Sequence, residues 1–333
     1  MKKLILLYTF MLFLAIGVTG CGRSNDDTPP SVVNFGILQM PNDLNLARAL
    51  GFFDDLDFDV NFFIFEAGRD INLAMASGSI DFGLLGSVPA SIAISSEIGV
   101  DIYWIHGIYS DVEALVVRTE TNIRSFDDLH GAVLAVTFGS TSHYSLLNAL
   151  ELNNVSLSDI TLLDMPPPDI YAAWQRGDID GAFVWMPTLS RLLNTGGHAL
   201  ITAGELAELG IVTANVGYVR REFGQRHPEI VAEIVNVLMR THDIYNENHS
   251  FAAQTLAEMF DLSEDEAMEQ MDSKIWVSAE EQLLSEHLGG GLANILKDTA
   301  DFFHVFGSIE NYPALSLFTV AVNPSFIEAA LNE

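Results

Sequence analysis

AVLAVTFGSTSHYSLLNALEL, residues 132–152, reads as one folding unit: an apolar run, a turn at Phe138-Gly139, small hydroxyl residues, then a helix. The run at 132–136 is short and continuous, as expected of a strand covered on both faces. Residues 142–152 place apolar side chains at helical spacing, and the Ser and Thr just before them are residues that start helices. The same order recurs on either side. Strands are expected at 32–38, 58–65, 80–85, 102–108, 114–117, 161–165, 179–185, 199–202 and 215–219. Helices are expected at 44–53, 71–76, 88–96, 169–176 and 187–193, and residues 228–333 read as mostly helical. Pro89 falls in the first turn of its helix, where a missing N–H costs nothing. Alternating β and α units imply an α/β fold of open parallel sheets with helices on both faces. In such sheets ligands bind beyond the carboxyl ends of the strands. Two α/β lobes with a helical C-terminal segment are the simplest partition.

Composition narrows the function. The chain has 333 residues, 15 basic against 45 acidic, with a formal net charge of −30, 49% hydrophobic residues, 21 Phe and one Cys. Such an acidic balance excludes a protein that binds nucleic-acid phosphates through a basic face. One Cys excludes a disulfide framework and any Cys-based zinc or iron–sulfur centre. The apolar content excludes a disordered chain despite the charge.

The N-terminus reads as an address. Lys2-Lys3 precede an almost unbroken apolar run at 4–18, shorter than the ~20 residues a spanning helix needs. Val18-Thr19-Gly20-Cys21 resembles a bacterial lipobox. A signal peptide of residues 1–20 is therefore expected, with Cys21 lipidated as the new N-terminus and 21–31 as a flexible tether. Two or more acyl chains give stable membrane anchoring, since each buried methylene contributes ~0.8 kcal/mol. The protein is expected on the extracytoplasmic face of the cell membrane, held by its N-terminal lipid.

Three strand-to-helix junctions carry candidate chemistry: Leu85-Gly86-Ser87-Val88-Pro89, Phe138-Gly139-Ser140-Thr141-Ser142-His143-Tyr144 and Trp185-Met186-Pro187-Thr188. A helix start offers unpaired N–H groups and a partial positive charge, so it can hold an anion without a cation. Helix capping alone would also explain any one of these junctions. Their recurrence suggests a cleft between lobes that collects them, with Tyr144 and Trp185 as apolar walls. Catalysis is not written in the sequence. The nine His are scattered, no His-Glu-x-x-His pair occurs, and there is neither a Gly-x-Ser-x-Gly elbow nor a dinucleotide loop. No cofactor and no metal are implied.

At residues 140–147 (STSHYSLL) and 172–187 (AAWQRGDIDGAFVWMP) the chain resembles the taurine-binding proteins of ABC importers, which stand with the aliphatic-sulfonate and nitrate-type solute-binding proteins. Residues 74–78 (AMASG), 85–89 (LGSVP) and 113–117 (EALVV) extend the resemblance. It runs from about residue 33 to 223. It implies a periplasmic-binding-protein fold of the second type, two lobes joined by two crossovers, with 32–118 and 215–333 as one lobe and 119–214 as the other. It also implies a monomer that delivers taurine or a related small alkanesulfonate to a permease and its ATPase. By this resemblance Gly86, Ser87, Ser140 and Thr141 donate to the sulfonate, His143 and Tyr144 lie at the helix mouth, and Trp185 walls the cleft. Gln39 and Glu66 stand in first-lobe loops where the family places ligand contacts. One position departs: the taurine proteins have an acidic residue before the return strand, and this chain has Asn215. A neutral amide gives up the ion pair to an amine, and charge-assisted bonds are about twice as strong. Another small solute, a nitrate-like anion or a thiamine-precursor pyrimidine, is the alternative ligand. A pyrimidine-synthase activity on the same fold would need a Cys-rich motif that this chain lacks.

Overall fold

The structure, a computed structural model, describes residues 29–307, 309 and 311–332. The expected signal peptide and Cys21 lie outside the described residues. Strands are numbered in chain order: β1 (Val32–Leu38), β2 (Asp59–Phe65), β3 (Phe82–Gly86), β4 (Val100–Tyr109), β5 (Glu113–Arg118), β6 (Val133–Val136), β7 (Thr161–Asp164), β8 (Gly181–Trp185), β9 (Gly197–Thr202), β10 (Ala214–Arg220) and β11 (Lys274–Ile275). They form two sheets, in the orders β11-β4-β10-β3-β1-β2 and β7-β6-β8-β5-β9.

Both sheets are mixed rather than wholly parallel. β1, β2 and β3 run parallel, while β10 lies antiparallel to β3 and β4. In the second sheet β6, β7 and β8 run parallel, and β5 lies antiparallel to β8 and β9. The reason is the pair of crossovers. The chain passes from β4 into β5 through residues 110–112 with no intervening helix, and β10 returns it to the first sheet. The two crossings lie side by side, with Tyr109 N–H donating to the Thr213 carbonyl at 2.9 Å. The first lobe was expected to run to residue 118. It gives way earlier, because β5 takes its hydrogen bonds from β8 and β9.

Local chemistry explains the element ends. The helix expected at 44–53 stops at Ala49, because Gly51 turns left-handed at φ +72° and a short 3-10 turn follows. A helix unforeseen in the sequence, Ala203–Glu208, starts on a capping box between Thr202 and Glu205. After β10 the chain is almost all helix, and Pro228–Glu247 and Gly291–Val305 pack their apolar faces onto the first lobe. Among the described residues no helix is long and apolar enough to cross a membrane.

A buried polar knot holds the loop that follows β1. The Asp43 carboxylate accepts from Trp104 Nε1 at 2.7 Å and shares hydrogen bonds with His106 Nδ1 at 2.6 Å and His242 Nε2 at 3.2 Å. Burial alone would push this carboxyl up, but the two imidazoles reverse it and hold it well below the usual carboxylate range. Asn45 Nδ2 donates to the Met40 carbonyl at 2.9 Å, and the buried Lys274 ammonium donates to the Pro41 carbonyl. Burial brings Lys274 down to about 8, and Asp43 opposes that fall. Removing one partner of a buried charged network leaves the others unpaired. Asp43→Ala is therefore expected to cost about 3–5 kcal/mol in urea unfolding; a loss under about 1 kcal/mol would mean that the knot carries no such burden.

Candidate ligand-binding site

A narrow, partly open cleft lies between the lobes, with about 300 Å³ of space between atoms that includes solvent at its mouth. The first lobe contributes Leu38 at the end of β1, Met40 from the loop after it, Gly68 from the start of helix Gly68–Ala76, and Gly86 and Pro89 from the end of β3 and the helix that follows. Tyr109 and Glu113 stand on either side of the first crossover, and Ser140, Thr141 and Trp185 come from the second lobe. Helices Gly68–Ala76 and Ser87–Ser95 begin without a side-chain cap. Helix Thr141–Leu152 spends the Ser140 hydroxyl on the His143 N–H, at 3.2 Å. First-turn N–H groups at the cavity are thus left for a ligand. None of the lining residues is a Lys or Arg.

The lobes meet closely. A Cβ built on Gly86 would stand 2.7 Å from Thr141 Cγ2, so only a glycine lets these two junctions touch. At the mouth Arg69 pairs with Asp164 across the lobes at 2.8 Å, so this guanidinium is engaged outside the cavity.

Glu113 dominates the electrostatics. It opens β5 opposite Trp185 and is only 1% exposed. One carboxylate oxygen accepts from the Thr141 hydroxyl, while Oε2 is buried without a partner among the described residues. Burial pushes this carboxyl up to about 8, with the Thr141 and Ser142 hydroxyls pulling the other way. Tyr109 is pushed well above its ordinary value, first by burial and then by the Glu113 charge.

Of the residues expected at the site, Gly86, Ser140, Thr141 and Trp185 line the cavity and the others do not. The Ser87 hydroxyl turns away to accept from Ala214 N–H at 3.2 Å, bracing the return strand. Tyr144 packs on Phe302 and Phe303 of helix Gly291–Val305, and His143 lies between Phe138 and Phe303. Helical geometry explains this. Thr141 opens the helix towards the cleft, while His143 and Tyr144 follow on faces already turned to the first lobe's aromatic helix. Gln39 and Glu66 are exposed in their loops, beside lining residues but not among them. Asn215 is wholly buried, laddered to Gly86 and Gly107, with both amide atoms lacking a partner among the described residues. The Tyr109 hydroxyl lies beside it. Sequence reasoning missed Glu113, although a lone carboxylate abutting the apolar run Ala114-Val117 was the available signal.

Because the folded state favours the neutral form of Glu113, its contribution to stability is complete below pH 4.5 and is lost as pH rises through about 8. The empty protein should lose stability across this range with a slope of up to about 1.4 kcal/mol per pH unit. Thermal melts should show Glu113→Gln removing that slope. An unchanged slope would place the titration elsewhere.

Comparison with known proteins gives the context. The NMT1/THI5-like family profile matches residues 43–248. The chain is 39% identical over 155 residues to the taurine-binding periplasmic protein of Escherichia coli (strain K12), a match covering 46% of this chain and 48% of that protein. It is 25% identical over 342 aligned positions to a Bacillus subtilis (strain 168) protein provisionally named as aliphatic-sulfonates-binding, across 100% of this chain and 98% of that one. Among solved structures, the alkanesulfonate-binding protein SsuA of Xanthomonas axonopodis pv. citri bound to MOPS superposes with a TM-score of 0.72 at 23% identity, covering 88% of this chain and 98% of that one. The fold is thus that of SsuA-type periplasmic binding proteins, two mixed α/β sheets with a helical C-terminal segment. The chain belongs to the NMT1/THI5-like family.

Proposed function

We propose that this protein is the extracytoplasmic solute-binding component of an ABC importer, tethered through Cys21, and that its ligand is a small aminosulfonate of the taurine type. The observation that carries this reading is the buried, half-satisfied Glu113 carboxylate in a cavity whose free donors are the N–H groups of helix starts. The sulfonate is held by N–H groups at the starts of helices Ser87–Ser95 and Thr141–Leu152, since the Ser140 and Thr141 hydroxyls already donate to the Thr137 carbonyl and to Glu113. The ammonium lies against Glu113, which supplies the charge that Asn215 does not. The short carbon chain packs on Met40, Pro89 and Trp185. Closure of the two lobes around this ligand then offers a surface to the permease. The named ligands of the E. coli and B. subtilis relatives support the reading at the level of the sulfonate group.

This scheme has a proton signature. In the empty cavity Glu113 is mostly protonated at neutral pH, since burial holds it near 8. An arriving ammonium makes it ionise. Calorimetric titration near neutral pH, in two buffers of different ionisation enthalpy, should show taurine releasing close to one proton. Ethanesulfonate and isethionate, which lack the amine, should bind more weakly and release none. Glu113→Gln should weaken taurine about 10- to 100-fold, the worth of one hydrogen bond to a charged group. Equal affinities without proton release would sink the aminosulfonate reading in favour of a plain alkanesulfonate. Silence with all three would point to a nitrate-like anion or a pyrimidine instead. Gly86→Ala should weaken whichever of these ligands binds by about tenfold, because its methyl props the lobes apart; unchanged affinity in the same titration would show that the lobes accommodate it.

A further inference from the structure

The second-lobe loop that enters the cavity is held from one side chain outside it. The His143 ring stacks on Phe138 with centroids 4.5 Å apart and planes 12° from parallel. Its Nδ1 accepts from the Gly139 N–H at 3.2 Å, and its own backbone N–H donates to Ser140 Oγ at 3.2 Å. Three consecutive residues leading to Thr141 each take one contact from His143. Gly139 sits in the left-handed region at φ +74°, so the loop bends where the imidazole grips it. On the other side the ring meets Phe303, centroids 5.7 Å apart, from helix Gly291–Val305. That helix belongs to the first lobe, where its Leu296 carbonyl accepts from Ser91 Oγ at 2.6 Å. His143 therefore stands between the ligand loop of one lobe and the C-terminal helix of the other.

The Gly139 bond demands a lone pair on Nδ1, which only the neutral imidazole protonated at Nε2 provides. We propose that His143 is a positioning residue: as the neutral Nε2–H tautomer its ring fixes Phe138 and Gly139, and so aims the start of helix Thr141–Leu152 into the cavity. The effect on ligand binding rests on the reading that this loop meets the ligand; the grip on the loop does not. The surroundings favour the neutral form. Burial lowers the imidazole from its usual 6.5 to about 4, and Asp164 alone pulls it back up. Asp164 is in turn occupied by Arg69 and by the Phe138 N–H at 2.9 Å. From helix Gly291–Val305 the ring meets the apolar Phe303.

The test separates the grip from the ligand. Nitrogen NMR of the unliganded protein with labelled histidine should show His143 protonated at Nε2, bare at Nδ1, and titrating well below 6.5. The Gly139 amide should exchange slowly with solvent. His143→Asn, whose Oδ1 can replace Nδ1 as acceptor, should keep both that protection and taurine affinity within about threefold. His143→Phe, which keeps the ring stack but has no acceptor, should lose the protection at least tenfold and weaken taurine about tenfold. A proton on Nδ1, or full Gly139 protection in His143→Phe, would overturn the proposal. If His143→Phe does not fold, the tautomer and the His143→Asn exchange rate decide it. Taurine silence in the parent protein would count against the sulfonate reading alone, because tautomer and exchange are read without ligand.

Discussion

Glu113 is a carboxylate that water does not reach, placed at the first residue of the strand that carries the chain into its second lobe. Most of the cleft can be understood from that constraint. A buried acid must be neutralised, hydrogen-bonded or paired. One oxygen is satisfied by Thr141 from the opposite side of the cleft, so the acid helps define the closed arrangement. The other oxygen has no partner among the described residues, and burial pushes the carboxyl up to about 8. Tyr109, just before the crossover, shares this burial and this field.

Charge elsewhere is arranged to leave that site undisturbed. Asp43, His106, His242 and Trp104 hydrogen-bond to one another deep in the first lobe, while Lys274 and Asn45 hold the carbonyls of the loop that supplies Met40. Arg69, next to the lining Gly68, is engaged by Asp164. A site without its own cation binds an anion through helix-start N–H groups and dipoles, whose orientation is set by the backbone. Small loop displacements therefore matter, and a residue such as His143, which grips the loop without reaching the ligand, acquires influence over it.

The strand β1 was legible to the residue because an apolar run bounded by turn formers has one plausible reading. The junctions at Gly86 and Ser140 were legible for a similar reason, since a glycine turn followed by hydroxyl residues is a local signal. His143 and Tyr144 belonged to the same conspicuous motif yet lie away from the cavity, because sequence adjacency does not say which way a helix faces. Glu113 was passed over because its environment is assembled from β8 and helix Thr141–Leu152, neither of them near it in the sequence. The boundary of the first lobe was misplaced for a related reason: β5 reads as a strand from its own residues, but which sheet it joins depends on partners some 70 residues further on.

By itself, then, the sequence determined the alternation of strands and helices, the turns that open towards a ligand, and an acidic composition that leaves few cations to bind one. These follow from interactions within a few residues, where side-chain pattern and backbone preference act directly. Tertiary structure decided the mixed order of the sheets, the burial of Glu113 and the identity of the residues that face the cavity. Burial and pKa depend on what packs around a group in space, and those neighbours are set by the crossovers between lobes.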